Sequence, residues 1–323
     1  MLSPKTQNTS SSFEDAEALP LKKCLAKTRI TEKQIHQAGR TVFDHCSIVG
    51  EIAKELLTRI PSFVRSSLFP VASELVAALH DIGKVSPTFQ EKIYRGIDGY
   101  VPNSLDSLAH INPGLERNWG YHAGISMAAA QYLKTGKHIP QIIGQHHGYS
   151  PELNGLVAED KVFGGTLWQA RRTELVHNLK AAMGLKYPVI ANPLQAKAIA
   201  GLTTVADWIG SGPSFDNPDE CWQPLIKKAV DAAGFVTPEL NKGLAFSKIF
   251  GFEPRSIQDL LIQQANKPGT YILEAPMGIG KTEAAVFPMH VGVFLWGSEQ
   301  RPHPVSLPHA RGGVNLMLRV HAW

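Results

Sequence analysis

The sequence predicts a mainly α-helical bundle followed by the opening of an α/β domain, on three observations. From about Thr41 to Ile209, apolar residues recur at helical spacing. Strand-like alternation is scarce over the same span. After Phe252 the pattern becomes strand, glycine-rich turn, helix, which is how an α/β domain begins.

Taken in chain order, residues 1 to about 20 are rich in Ser, Thr and acidic groups and are expected to form a mobile tail. They hold no apolar stretch suited to a secretion signal. "FDHCSIVGEIAKELLTRI" (Phe43–Ile60) then sets His45, Ile48, Val49, Ile52 and Leu56 on one helical stripe. "SELVAALHDIG", "YHAGISMAAAQYL", "HIPQIIGQHHG" and "QAKAIAGLTTVADWIGS" repeat that style. "SGPSFDNPDE" (Ser211–Glu220) is a polar Pro/Gly loop, and the helical stretch "CWQPLIKKAVDAAG" follows it. Further on, "RSIQDLLIQQAN" reads as a helix, "GTYILEAP" as a strand and "KTEAA" as the start of another helix. The expected organisation is a tail over 1–20, a helical domain over 21–240 and a second region over 241–323.

Composition limits the function classes. A length of 323 residues fits one large domain plus part of a second, and 43% hydrophobic with 19% charged residues describes a chain able to bury a core. The net charge of +4 permits a nucleic-acid partner without requiring one. Cys24, Cys46 and Cys221 form no CxxC pair, which argues against a disulfide framework or a cysteine zinc site and for a reducing compartment. No run of about 18 apolar residues occurs, so no membrane span is expected and the reading is cytoplasmic.

Five of the 13 histidines, His45, His80, His122, His146 and His147, lie on or at the ends of apolar helical stretches, as do Asp81 and Asp207. A lone histidine in that setting is most simply a core or surface imidazole. Aspartates on apolar helices are harder to explain that way, because a buried carboxylate needs a charged partner or a metal. Adjacent residues on a helix point about 100° apart, so an HD pair is expected to reach two neighbouring ions, with Asp81 between them. Imidazole and carboxylate together suit Mn, Fe, Co, Ni or Zn, and a dinuclear pair about 3.5–4 Å apart suits in-line attack on a phosphodiester.

The pattern H…HD…H…HH…D resembles the HD metal-dependent phosphohydrolase superfamily. "ALHDIGKVSPTFQEK", "GYHAGISMAA", "GQHHGY" and "VADWIGS" are together similar to the HD nuclease domain of the CRISPR-associated helicase–nuclease that works with the Cascade surveillance complex, over roughly Thr41 to Ser211. That resemblance implies that His45, His80, Asp81 and Asp207 hold one ion. It implies that Asp81, His122, His146 and His147 hold a second, with Asp81 bridging. Lys84 matches the lysine beside the family's HD pair, where its charge would stabilise a phosphate; the alternative is a solvated surface lysine.

"EAPMGIGKTEAA" (Glu274–Ala285) follows a strand-like run and opens a helix, the setting of a phosphate-binding loop. The residues Ala275, Gly278, Gly280, Lys281 and Thr282 resemble motif I of superfamily-2 helicases, with Lys281 for the terminal phosphates and Thr282 for Mg²⁺. Upstream, "FEPRSIQ" resembles the Q-motif, with Gln258 expected to read adenine. The expected cofactors are two divalent transition-metal ions (Mn, Ni, Co or Fe); for the helicase region the resemblance implies ATP with Mg²⁺ in the intact family. Beyond Ala285 the likeness to the start of a RecA-like helicase domain ends, no DExH sequence follows, and His290, His303, His309 and His321 lack ligand spacing. A truncated or frameshifted gene without ATP-driven unwinding is therefore expected.

The expected function is that of a metal-dependent single-stranded DNA endonuclease of CRISPR defence, whose partners are single-stranded DNA and Cascade with its guide RNA. The alternatives are a phosphohydrolase of nucleotides and a non-catalytic remnant that binds DNA or Cascade.

Overall fold

The computed structural model describes residues 17–153, 156, 161–236, 244–265, 271–273, 275–287 and 316–318. The tail histidines His290, His303, His309 and His321 lie outside the described residues, as does most of the expected N-terminal tail. The chain divides into two compact units, 1–236 and 237–323.

The first unit is helical. Its α-helices are preceded by a short antiparallel hairpin, β1 (Thr28–Ile30) and β2 (His36–Ala38), with Arg29 opposite Gln37. The long helices are α1 (Val42–Arg59), α7 (Gly165–Met183) and α8 (Pro193–Gly210). Shorter helices fill the space between: α2 (Ser62–Leu68), α3 (Ser73–Ala78), α4 (Pro87–Arg95), α5 (Tyr121–Tyr132) and α6 (Ile139–Gly144). Helix α9 (Leu225–Ala232) closes the unit. The tail expectation fails at its end: Ala18 and Leu19 are buried in the core, because two apolar residues there find a cover beside Cys24 and Val42.

Local chemistry sets the helix starts. Thr41 Oγ1 accepts from the Asp44 backbone N–H at 3.1 Å and so caps α1, while Asn192 Oδ1 accepts from Gln195 N–H at 3.0 Å and Pro193 opens α8. Each cap contributes on the order of 1 kcal/mol. Helix α1 buries Ile48, Val49, Ile52, Ala53 and Leu56 against α3 and α8. Each such aliphatic side chain contributes about 1.5–3 kcal/mol on leaving water.

Buried polar groups then fix the short segment after α3. Gln90 donates to Lys84 O at 2.8 Å and exchanges two bonds with the Leu25 backbone at 2.9 Å. Arg172 of α7 donates to Val85 O at 2.8 Å and Phe163 O at 2.9 Å, and its guanidinium lies 3.9 Å from the Phe163 ring centroid. Burial pulls its pKa down to about 9, which leaves it charged at neutral pH.

The second unit contains α10 (Phe246–Phe250), α11 (Ser256–Gln264), the strands β3 (Tyr271–Leu273) and β4 (Leu316–Leu318), and a helical stretch over 281–287. β3 pairs antiparallel with β4, Ile272 opposite Met317, so the strand before the glycine loop has a partner but not a parallel one.

Candidate metal centre

Five segments of the fold deliver the predicted ligands. His45 comes from the first turns of α1, His122 from the start of α5 and Asp207 from the last turn of α8. The adjacent pairs do not sit within helices as expected. α3 ends at Ala78, and His80 and Asp81 occupy the turn that leads into the 3-10 helix Ile82–Lys84. α6 ends at Gly144, and His146 and His147 follow it in a turn. The 100° separation of helical neighbours therefore does not apply, and both members of each pair reach one cluster: His80 Nε2 is 3.1 Å from Asp81 Oδ2.

Gly83 makes this turn possible. A Cβ at that position would lie 2.1 Å from His122 O and 2.4 Å from Ser126 N, both backbone atoms of α5. Without a side chain the turn lies flat on that helix, and Gly83 N–H donates to Ser126 Oγ at 2.8 Å.

The ligand atoms gather into two groups, His45, His80, Asp81 and Asp207 in one, and His122, His146 and His147 in the other. Asp81 stands between them. Its Oδ2 is 3.0 Å from His45 Nε2, and its Oδ1 is 3.3 Å from His122 Nε2 and 3.5 Å from His146 Nε2. Asp207 Oδ1 lies 3.2 Å from His80 Nε2 and 3.6 Å from His45 Nε2. Lys84 is no solvated lysine: its Nζ is 2.7 Å from Asp81 Oδ2 and its side chain is only 14% exposed.

The electrostatics differ across the centre. Burial raises the Asp81 carboxyl, but the charges of His80 and Lys84 outweigh it and hold the group well below the ordinary carboxylate range. Asp207 is likewise raised by burial and lowered further by His80 and its bonds from His45 and His80. Burial alone would lower His80, yet Asp81 and Asp207 carry it up to about 10. On the other side burial dominates: it pulls His146 down to about 4 and His122 well below its ordinary value. Burial, with the Asp81 charge adding to it, pushes the neighbouring Cys46 thiol well above its normal range.

The residues fit a pair of metal ions. His45 Nε2, His80 Nε2, His146 Nε2 and Asp81 Oδ1 are buried, and the cluster's own members lie close around them without a well-aligned hydrogen bond among the described residues. Buried polar atoms are normally paired, so this convergence marks a place for cations.

Two features escaped the sequence reading. Glu116, only 2% exposed, packs beside His122 from a 3-10 helix over Pro113–Trp119 that carries no helical periodicity. Trp208 follows Asp207 on α8 and is 70% exposed, a large apolar ring that the core does not use. Its only signal in the sequence is its place within "VADWIGS".

In the second unit, Phe252, Arg255, Gln258, Met277, Gly278, Gly280, Lys281, Thr282 and Glu283 line one cavity of about 540 Å³. Gly278 and Gly280 adopt φ of 75° and 86°, conformations that favour glycine. Gln258 is buried rather than open to a base: Oε1 accepts from Arg255 N–H at 2.8 Å, and Nε2 donates to Gly280 O at 2.9 Å. Lys281 Nζ donates to Ala275 O and Pro276 O at 2.6 and 2.9 Å.

A helical bundle that converges five histidines and two aspartates from turns and helix ends defines an HD-type metal-binding domain. The profile of the family described as Cas3, HD domain, matches residues 26–215, and the chain belongs to that family. It is 30% identical over 263 residues to the CRISPR-associated nuclease/helicase Cas3 of Streptococcus thermophilus, covering 66% of this chain and 27% of that protein. It is 26% identical over 283 residues to the CRISPR-associated endonuclease/helicase Cas3 of Thermus thermophilus, covering 77% of this chain and 29% of that one. The chain thus spans under a third of the length of these relatives. The crystal structure of T. fusca Cas3 shares the fold, with a TM-score of 0.57 at 24% identity over 85% of this chain and 34% of that one. Among the described residues no single helix is long and apolar enough to cross a membrane.

Proposed function

We propose that this chain is a metal-dependent endonuclease that hydrolyses phosphodiester bonds of single-stranded DNA at a two-ion centre, in CRISPR antiviral defence. The observation that carries the reading is the division of one carboxylate, with Asp81 Oδ2 toward His45 and His80 and Oδ1 toward His122 and His146. In this reading His45, His80, Asp81 and Asp207 hold one ion, and Asp81, His122, His146 and His147 the other. Imidazole and carboxylate donors without thiolate favour Mn²⁺, Ni²⁺, Co²⁺ or Fe²⁺ over Mg²⁺, which avoids imidazole.

Bound ions of this kind would supply a hydroxide nucleophile at neutral pH and neutralise charge on the phosphate. The chain's own groups do the rest. Lys84 orients the shared carboxylate and adds a fixed positive charge beside it, the kind of preorganised charge that favours an anionic transition state. Trp208, Tyr121 and Tyr149 are exposed and lie within two residues of Asp207, His122 and His147. Their ring faces suit stacking of unpaired bases, which supports a single-stranded substrate over a duplex.

Family membership supports recruitment by Cascade and its guide RNA, with the displaced DNA strand as substrate and a cytoplasmic place of work. The nuclease region is assigned to 21–240. The region 241–323 is assigned ATP and Mg²⁺ at the cavity lined by Gly278, Gly280, Lys281 and Thr282, with Gln258 bracing the loop.

The test is incubation of ion-free protein with circular single-stranded DNA and a panel of divalent ions. Cutting of the circle with Mn²⁺, Ni²⁺, Co²⁺ or Fe²⁺, and weak cutting with Mg²⁺, is expected. An intact circle in every arm, with mononucleotide phosphates hydrolysed instead, would overturn the reading in favour of a small-substrate phosphohydrolase.

A further inference from the structure

An imidazole that binds an ion through Nε2 carries its proton on Nδ1, and that N–H needs an acceptor. Two of the buried histidines have a backbone carbonyl there. His80 Nδ1 is 2.8 Å from Ala77 O, and His146 Nδ1 is 2.5 Å from Ile143 O. His122 is different: its Nδ1 is buried and has no hydrogen-bond partner among the described residues. Glu116 Oε1 lies 4.0 Å from it and has no well-aligned hydrogen-bond partner among the described residues, and the Glu116 carboxylate also faces the His122 backbone N–H. Two orphaned atoms of complementary chemistry thus lie about one small side-chain adjustment from a hydrogen bond.

The surroundings hold both groups for that contact. The other oxygen of Glu116 is 3.4 Å from Lys92 Nζ of α4. Phe89 meets the His122 ring edge-on, with centroids 5.3 Å apart. His122 Nε2 is 2.9 Å from His147 Nε2, so without an ion one of these rings carries a proton on Nε2. Presenting both Nε2 lone pairs to a cation requires the His122 proton on Nδ1, on the side of Glu116.

We infer that Glu116 is a positioning residue for the imidazole-rich half of the centre, accepting the His122 Nδ1–H and fixing the tautomer that offers Nε2. The inference rests on the two-ion reading above. A carboxylate partner makes the imidazole a stronger donor than a backbone carbonyl does, so Glu116 governs occupancy of this half and not of the other.

The experiment is a Co²⁺ titration of the full chain, followed by calorimetry and visible absorption, for the wild type, Glu116→Ala, Glu116→Gln and His122→Ala. The wild type is expected to take up two ions. Glu116→Ala should weaken one of them by about 10–100-fold, the scale for loss of such an outer partner, and leave the other unchanged. Glu116→Gln keeps an uncharged acceptor and should weaken the same ion less, with an unchanged thermal unfolding midpoint. His122→Ala should lose that ion. Wild-type affinity for both ions in both Glu116 variants would overturn the inference, as would equal weakening of the two ions, which marks a merely structural role. If Glu116→Ala does not fold, Glu116→Gln decides: selective weakening supports the inference and wild-type binding ends it. Uptake of fewer than two ions by the wild type would instead overturn the two-ion reading itself, and the inference with it.

Discussion

The two halves of the centre use the same carboxylate and prepare for a cation in opposite ways. Around Asp81 Oδ2 the charges are already compensated, with Asp81 and Asp207 facing protonated His80 and the Lys84 ammonium. Around Oδ1 the neighbours His122 and His146 are kept neutral by burial. In the two-ion proposal, an ion entering the first half would displace a proton from His80, whereas one entering the second would meet neutral ligands. The difference arises from packing: α8 brings a second carboxylate to His80, while among the described residues Asp81 is the one carboxylate paired with His146.

The largest effect expected is that of removing the shared group. Asp81→Ala should empty both halves and reduce cleavage by on the order of 10³-fold or more, the scale for losing a preorganised charge-stabilising group. His45→Ala should mainly disturb the carboxylate-rich half, because His45 pairs with Asp81 Oδ2 and with Asp207. Ion counts by elemental analysis on the two variants check this. Full loading in Asp81→Ala would break the comparison at its centre.

A second measurement sharpens it. His80 holds its proton to about 10 against an ordinary 6.5, so its contribution to the stability of the ion-free protein is complete below about 6.5 and is lost as pH rises through 10. His146 is depressed to about 4, so its contribution is present above 6.5 and is lost as pH falls through 4. NMR of the ion-free protein at about pH 8 should find His80 cationic and His146 neutral. Titration of both rings together near 6.5 would mean that the halves are electrostatically alike.

The smallest expected effect concerns the second unit. Lys281→Ala should abolish ATP binding at the loop and leave ion loading and single-strand cleavage unchanged. A parallel fall in cleavage would mean that the nucleotide loop and the metal centre act as one device.

Much of this centre is legible in the sequence, and the exceptions have physical causes. His45 and Asp207 stand on stripes long enough to read, and the HD and HH pairs announce themselves as neighbours. The sequence suggests helix at His80–Asp81 because the apolar run continues to Leu79, but α3 stops at Ala78 once the turn can lie against α5 through Gly83. That close approach is a tertiary fact with no periodic trace. Glu116 is invisible for a related reason: its stretch, "NPGLERNWG", reads as a loop, and only folding sets it beside His122. The opening strand of the second unit is readable from "YIL", but its antiparallel partner β4, far along the chain, is not.

The most direct test of the account is anomalous diffraction from crystals of the full chain grown with Mn²⁺. Two peaks about 3.5–4 Å apart are expected, one on each side of the Asp81 carboxylate, with Oδ2 on the first ion and Oδ1 on the second. A single peak, or two peaks of which only one touches Asp81, would contradict it.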